Sequence, residues 1–215
     1  MGFYWIKTNF LIKKIFSNYI WDKPNSENKI YLTFDDGPTP EITEWVLNQL
    51  EKYQAKATFF CIGKNIEANP SIFEKIIKKG HSIGNHTFNH LNGWKTTTKV
   101  YLENINRCEE IISENTFGIA PLVSKIFRPP YGKIKPLQTA KLKKAGYEII
   151  MWDVLSADFD TSITPEKCLD NVISNIKPGS IVVFHDSVKA FKNLEYALPK
   201  TLEFINKNGF VYEIL

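Results

Sequence analysis

The chain has 215 residues, of which 43% are hydrophobic and 13% aromatic, and its formal net charge is +4. This length and composition fit a single domain with a sizeable core. The lysines are scattered among carboxylates, so the electrostatic pattern of nucleic-acid binding is missing. The three cysteines have no CxxC spacing and indicate neither a disulfide framework nor a zinc knuckle.

Residues 1–28 are interpreted as an N-terminal amphipathic extension, followed by the main domain over residues 29–215. Apolar residues recur at helical spacing, namely Ile6, Phe10, Ile12, Ile15, Phe16, Tyr19 and Ile20. Lysines interrupt the apolar run, so neither a signal-peptide core nor a membrane span of about 18 residues is visible. The extension is expected to pack as a helix on the domain, or to contact a membrane peripherally through residues 1–21. The default location expected from these features is the cytoplasm or the membrane periphery.

Seven short apolar runs predict β-strands, and helical signals lie between several of them. The predicted strands span residues 30–34, 57–62, 82–84, 125–127, 147–152, 180–184 and 210–214. The predicted helices span residues 41–53, 71–79 and 136–145, with another that begins at Thr164-Pro165 and ends before Pro178. Parallel strands need helical crossovers, so the alternation predicts an α/β domain with a parallel, barrel-like sheet. An open, doubly wound sheet is the alternative, and no glycine-rich phosphate-binding motif follows any strand.

Polar residues collect where the predicted strands end. Asp35-Asp36 follows the first strand, and the segments NHTFNH, RPPYG, WDVLSADFD and HDS follow or include the ends of later ones. In a parallel barrel, the residues that carry the chemistry lie at the carboxyl ends of the strands. Five separate segments therefore predict an active site on one face of the sheet.

His86 and His90 are four residues apart, which would place two imidazoles on one face of a helical turn. Such a pair can bind one divalent metal, although surface or core histidines often show the same spacing. An aspartate from the first strand end could supply a third, oxygen ligand. His185 lies at another strand end and is a further candidate for the same site.

The adjacent carboxylates Asp35 and Asp36 are unusual because neighbouring residues on a strand point to opposite faces. They can act at one site only if the chain turns, and Gly37-Pro38 supplies a turn. One alternative is a surface turn that uses aspartate only as its first residue. Another is a retaining glycosidase pair, which needs two carboxyls about 5 Å apart across a substrate.

Together these segments resemble the polysaccharide deacetylases, the family 4 carbohydrate esterases related to chitooligosaccharide deacetylase. The motifs are TFDDGP at 33–38, HTFNH at 86–90, RPPYG at 128–132, Asp158 after Trp152, and VFHD at 183–186. The resemblance implies a distorted (β/α) barrel with about seven parallel strands. It also implies a metal-dependent hydrolase that removes acetyl groups from N-acetylated sugars of a peptidoglycan-like or chitin-like glycan.

By motif position, the resemblance implies that Asp36, His86 and His90 bind a divalent metal. Zn²⁺ is the favoured ion, and Co²⁺ and Ni²⁺ are alternatives. It implies that Asp35 is the general base and that Arg128 orients it. A divalent cation lowers the pKa of a bound water, so an ordinary carboxylate suffices as base.

The resemblance assigns the general acid to His185, with its pKa adjusted by Asp158. The backbone N–H of Tyr131 would help to hold the oxyanion. Phe159 and Val183 depart from the Trp and Leu that the family commonly has at these positions. Both are expected to line the site, where they would affect the fit of the sugar rather than the chemistry.

Two other functions remain open from the sequence. The same scaffold could hydrolyse small cyclic or linear amides, or it could be a catalytically silent sugar-binding module. The presence of both Asp35 and His185 argues against the silent module. The expected partner is an acetylated glycan, and no nucleic-acid partner is expected.

Overall fold

The computed structural model of the protein describes residues 4–24, 27–116 and 123–215. The helices are α1 (Phe10–Ile15), α2 (Ile42–Lys52), α3 (Gly63–Ala68), α4 (Pro70–Lys78), α5 (Thr98–Thr116), α6 (Pro136–Lys144), α7 (Pro165–Ile173) and α8 (Phe191–Lys207). The strands are β1 (Lys29–Asp35), β2 (Thr58–Cys61), β3 (Ser82–Asn85), β4 (Val123–Phe127), β5 (Glu148–Ile149), β6 (Val154–Leu155), β7 (Ile181–His185) and β8 (Val211–Tyr212).

Seven parallel strands form a curled sheet in the order β5-β4-β3-β2-β1-β7-β6, and β8 pairs with the first residues of β1. The predicted α/β domain with a distorted, barrel-like parallel sheet is therefore confirmed. One predicted strand, residues 147–152, is wrong as a single element. Its beginning pairs with β4 as β5, whereas β6 follows at residue 154 and pairs with β7 at the opposite edge.

The central strands are held in register by packing on the helical side of the sheet. Phe34 of β1 stacks between Phe59 and Phe184, with ring centroids 5.1 and 6.0 Å away. α8, which the sequence reading did not predict, contributes a buried stripe of Leu194, Ala197, Leu198, Leu202 and Ile205 to this core. This spacing is typical of a helix with one face on a sheet. As a result, Asp35 at the end of β1 lies opposite His185 of β7.

The N-terminal arm, defined here as residues 4–24, bridges the gap between the two edge strands. Lys7 forms an antiparallel bridge with Val154, and the Leu155 N–H donates to the carbonyl of Ile6 at 2.8 Å. Farther along, the Met151 N–H donates to the carbonyl of Ile20 at 2.7 Å. Because the arm pairs with residues near both edges, it covers main-chain groups that an open sheet would expose.

Asp153 anchors the arm. Its fully buried carboxylate accepts hydrogen bonds from Lys7 at 2.5 Å, from Lys13, and from the Ser180 hydroxyl at 2.6 Å. Burial raises the pKa of Asp153, but these donors outweigh it and lower the pKa below its ordinary value. Separating a buried carboxylate from its cations is strongly unfavourable, so the arm is a fixed part of the domain.

The helix in the arm differs from the expected one. Only α1 is helical, none of its residues is buried, and Phe10 and Ile15 are 72% and 70% exposed. The arm packs through the extended segments on either side, whose backbone groups bond to the sheet. Among the residues that the structure describes, no helix is long and apolar enough to cross a membrane.

Candidate active site

A cleft of about 790 Å³ opens at the carboxyl ends of the strands. Eight of the predicted site residues line it, namely Asp35, Asp36, His86, His90, Tyr131, Phe159, Val183 and His185. The other two, Arg128 and Asp158, are fully buried behind this lining. The structure therefore brings together every residue that the sequence placed in the site.

Asp36, His86 and His90 form a group whose ligand atoms all lie within 4.8 Å of one another. The Asp36 Oδ1 atom is 3.2 Å from His90 Nε2 and 3.7 Å from His86 Nε2. This buried oxygen has no hydrogen-bond partner within the described part of the chain. Two imidazoles and one carboxylate are a donor set suited to Zn²⁺ and similar ions, so the residues fit a divalent metal.

The loop after β3 positions both histidines, rather than the helical turn that the spacing predicted. Thr87 and His90 have φ angles of 64° and 55°, and these left-handed positions direct the imidazole of His90 towards that of His86. The ring centroids are 5.1 Å apart. The Asn85 side chain stabilises the loop by accepting a hydrogen bond from the Thr87 N–H at 2.9 Å. The helical prediction was wrong because the spacing does not reveal these backbone angles.

The protonation of the two histidines suits metal binding. His86 Nδ1 donates to the Arg128 carbonyl at 2.7 Å, which leaves the lone pair on Nε2 facing Asp36. Burial lowers the pKa of His86 to about 4 and also lowers that of His90. Both rings are therefore neutral at neutral pH, as metal ligands must be.

Arg128 holds Asp35 in place from behind the cleft. One guanidinium nitrogen donates to Asp35 Oδ1 at 2.6 Å and to the Thr33 hydroxyl at 2.7 Å, and another donates to the Met151 carbonyl at 3.0 Å. Burial raises the pKa of Asp35, but the charge of Arg128, with that of His185 and the hydrogen bond from Arg128, lowers it below its ordinary value. Asp35 is therefore an ionised carboxylate at neutral pH.

The chain turns between Asp35 and its neighbour, as the Gly-Pro pair predicted. Asp36 has a φ of 84°, and the next N–H, of Gly37, donates to Asp186 Oδ1 at 3.0 Å. A Cβ atom on Gly37 would lie 1.9 Å from the Asp186 carboxylate, so glycine is required at this close approach. Thr43 donates to the other Asp186 oxygen at 2.5 Å. Sequence reasoning gave Asp186 no role, although it directly follows His185.

His185 faces the cleft from the end of β7 and is held by Asp158. The Asp158 carboxylate accepts from the His185 N–H at 2.7 Å and is 2.8 Å from Nδ1 of the same ring. Burial lowers the pKa of His185, but the Asp158 charge and hydrogen bond, with smaller contributions from Asp36 and Asp35, raise it to about 9. The imidazole is thus protonated at neutral pH, with Nε2 free of the Asp158 contact.

Aromatic residues form the walls of the cleft. Phe159 meets the His185 ring edge-on, with centroids 5.0 Å apart, and Tyr131 meets His90 edge-on at 4.6 Å. Tyr131 is 60% exposed and has a φ of 59°. Sequence reasoning missed Tyr4, which also lines the cleft. Only the docking of the arm brings Tyr4 there, and no motif in the sequence indicates it.

Known proteins resemble this chain over most of its length. A family model described as Polysaccharide deacetylase matches residues 22–150. The chain is 35% identical over 191 residues to a Bacillus cereus peptidoglycan-N-acetylglucosamine deacetylase, covering 88% of this chain and 87% of that one. It is 33% identical over 164 residues to a chitooligosaccharide deacetylase of Azorhizobium caulinodans, covering 75% of each.

One crystal structure extends the likeness to three dimensions. The Bc1960 peptidoglycan N-acetylglucosamine deacetylase, in complex with 4-naphthalen-1-yl-N-oxidanyl-benzamide, superposes with a TM-score of 0.85 at 33% identity. The match covers 92% of this chain and 91% of that one. This likeness therefore extends beyond residue 150, where the family match ends.

Proposed function

This chain belongs to the polysaccharide deacetylase family, and we propose that it hydrolyses the acetamido group of N-acetylated sugars in peptidoglycan or a chitin-like glycan. The observation that carries the proposal is the placement of Asp35, paired with Arg128, and His185, paired with Asp158, on neighbouring strands beside the Asp36-His86-His90 group. Similar relatives are named for deacetylating peptidoglycan or chitooligosaccharides, which supports this substrate class.

We propose Zn²⁺ as the ion that Asp36, His86 and His90 bind, with Co²⁺ or Ni²⁺ as substitutes. When bound, such an ion supplies Lewis-acid chemistry, polarising the acetyl carbonyl and lowering the pKa of a water molecule. The three side chains supply a carboxylate oxygen and two neutral imidazole nitrogens from two different strand ends.

Asp35 acts as the general base in this proposal. Its pKa lies below the ordinary value, so the carboxylate accepts a proton from the attacking water across the neutral range. Arg128 fixes the orientation of the carboxylate and keeps it ionised. Because Arg128 is held by Thr33 and Met151 as well, the base has little freedom to rotate away from the water.

His185 acts as the general acid. Asp158 occupies Nδ1, so the proton that leaves for the departing amine comes from Nε2. The backbone N–H of Tyr131, at the rim of the cleft, is proposed to stabilise the oxyanion, an interaction worth about 3 kcal/mol in comparable sites. Phe159 and Val183 shape the space around the acetyl group and the sugar.

The hydrolysis of small cyclic or linear amides would use the same groups, so the substrate decides between the two functions. A cleft of about 790 Å³ is within the range that accommodates a sizeable ligand, which favours the glycan. A silent sugar-binding module would not need the opposite protonation states of Asp35 and His185.

Acetate release from defined substrates tests the function. The purified protein should release acetate from peptidoglycan or N-acetylglucosamine oligomers, should lose this activity after chelation, and should regain it when Zn²⁺ or Co²⁺ is added. Small cyclic and linear amides serve as the comparison substrates, and their hydrolysis is followed by the new amine because ring opening releases no acetate. Full turnover in metal-free protein would contradict metal dependence, and hydrolysis only of small amides would contradict a glycan substrate.

Substitution of the two adjacent aspartates separates their roles. Asp36→Ala removes one of three ligands, so both bound metal and acetate release should fall. Asp35→Asn keeps the shape but removes the base, so metal should remain while kcat falls at least about a hundredfold. Metal analysis and acetate release on the same preparations provide the measurements. If Asp35→Asn lost the metal while Asp36→Ala kept it, the roles of the two aspartates would be reversed.

The pH profile tests the link between Asp158 and the general acid. His185 must be protonated, so kcat/KM should fall as the pH rises through about 9. Asp158→Asn removes the carboxylate that raises this pKa, so the alkaline limb should move to lower pH by about one to three units. Asp170→Asn, which removes a surface carboxylate paired with Lys167, is the control and should leave the limb in place. An unmoved limb in Asp158→Asn would contradict the assignment.

We also propose that α1 contacts an anionic lipid surface. Phe10 and Ile15 expose most of their apolar surface, and the basic residues Lys14 and Lys143 lie nearby, since Lys143 bonds to the Asn18 carbonyl of the arm. Apolar side chains flanked by lysines are the combination that attracts a protein to anionic membranes.

Co-sedimentation with vesicles tests this contact. The protein should bind vesicles of phosphatidylserine and phosphatidylcholine, and Phe10→Ser with Ile15→Ser should lower the partition coefficient about tenfold or more. Val100→Ser, at an exposed position on α5, should not change it. Equal binding by the double variant would contradict the contact.

A further inference from the structure

Resting on the proposed function, we infer that Tyr4 of the N-terminal arm is a specificity-determining residue. With Phe159 and Asp160, it would form a binding wall for the glycan beside the reacting sugar. All three residues line the cleft that contains Asp35 and His185. Tyr4 lies outside every motif of the sequence and reaches the cleft only through the arm.

The three side chains form one connected unit. The Tyr4 hydroxyl donates to Asp160 Oδ2 at 2.5 Å, and its ring meets Phe159 edge-on with centroids 5.5 Å apart. Phe159 in turn meets the His185 ring. Tyr4 is therefore one aromatic ring away from the proposed general acid without touching it.

The chemistry of this wall matches a sugar. Aromatic rings pack against the C–H faces of a sugar ring, while a carboxylate accepts hydrogen bonds from its hydroxyls. Hydrogen bonds from Ser162 and from Tyr4 lower the pKa of Asp160 to about 2, so this carboxylate is ionised. A carboxylate has about four acceptor sites, and the contacts from Tyr4 and Ser162 leave capacity for a sugar hydroxyl.

The hydroxyl of Tyr4 is a permanent donor. Burial and the neighbouring Asp160 raise its pKa to about 12, so it stays protonated throughout the working pH range. It therefore holds the Asp160 carboxylate, and with it the preceding residue Phe159, at a set distance from the arm.

The arm sets the position of Tyr4. Two residues farther on, Ile6 accepts the backbone hydrogen bond from Leu155, and Lys7 bonds to the buried Asp153. These contacts fix the backbone shortly after Tyr4, so they limit the positions that Tyr4 can take. The arm thus contributes to recognition of the substrate as well as to the fold.

Because Tyr4 contacts neither Asp35 nor the metal-binding group, its loss should weaken glycan binding more than the chemical step. A small acetyl ester, such as 4-nitrophenyl acetate, is too small to span the cleft, and its leaving group needs no proton, so it reports on the base and the metal-binding group, while kcat for the glycan also reports on His185. Comparing the two substrates separates a role in recognition from a general structural role.

The experiment measures kcat and KM of Tyr4→Ala and Tyr4→Phe for tetra-N-acetylchitotetraose and for 4-nitrophenyl acetate. Tyr4→Ala should raise KM for the tetramer about fivefold to tenfold, with Tyr4→Phe intermediate because the ring remains. Both variants should hydrolyse the ester within about twofold of the unsubstituted protein. Tyr19→Phe is the matched control, since Tyr19 belongs to the arm but bonds to Thr139 outside this cleft.

Three results would overturn the inference: an unchanged KM in Tyr4→Ala, equal losses on tetramer and ester, or the same loss in Tyr19→Phe. Binding of the tetramer to Asp35→Asn protein, with and without Tyr4→Phe, tests Tyr4 without turnover. A tetramer that binds through Tyr4 but is never deacetylated would contradict the proposed function alone. A tetramer that neither binds nor reacts would contradict both.

Discussion

The buried guanidinium of Arg128 connects the strand ends on which the site depends. It bonds to Asp35 and Thr33 of β1 and to the Met151 carbonyl that follows β5, and it lies 4.1 Å from the ring centroid of Phe60. A buried cation of this kind is tolerated only when a carboxylate and further acceptors surround it. Asp35, the proposed general base, is therefore held by the same contacts that join the parts of the curled sheet.

The pKa of Asp35 is lowered and the pKa of His185, on the neighbouring strand, is raised, which suits these residues to the opposite roles proposed for them. Arg128 keeps Asp35 ionised, whereas Asp158 keeps His185 protonated, although burial opposes the charged form in both cases. Pairs of titratable groups whose environments move their pKa values apart are typical of acid–base catalysis. Here Asp35 and His185, the proposed base and acid, each line the cleft and have a buried partner of opposite charge behind them.

The arm contributes to both the sheet and the cleft. It covers the gap between β5 and β6, and its first described residue, Tyr4, lines the cleft. The buried Asp153 makes both possible because it binds Lys7 and Lys13 inside the domain. This segment, which the sequence suggests is an extension, is joined to the sheet and contributes Tyr4 to the lining of the cleft.

The sequence by itself determined the parallel α/β class and, through its resemblance to the polysaccharide deacetylases, the residues that are proposed as catalytic groups. The carboxyl ends of parallel strands lie at the same end of the sheet, so the pattern alone could place Asp35 and His185 together. The pairing of His86 with His90 could also be predicted, but their left-handed loop could not, because spacing does not specify backbone angles.

Only the tertiary structure decided the rest, since these features depend on contacts between residues distant in sequence. Asp186 holds the turn at Gly37 across 149 positions, and Tyr4 meets Asp160 across 156. The apolar pattern of the arm predicted a packed helix, yet its extended segments bond to the sheet and α1 remains exposed. The spacing of apolar residues indicates which side chains lie on one face of a helix. It does not indicate whether the folded sheet offers a surface on which that face can be buried.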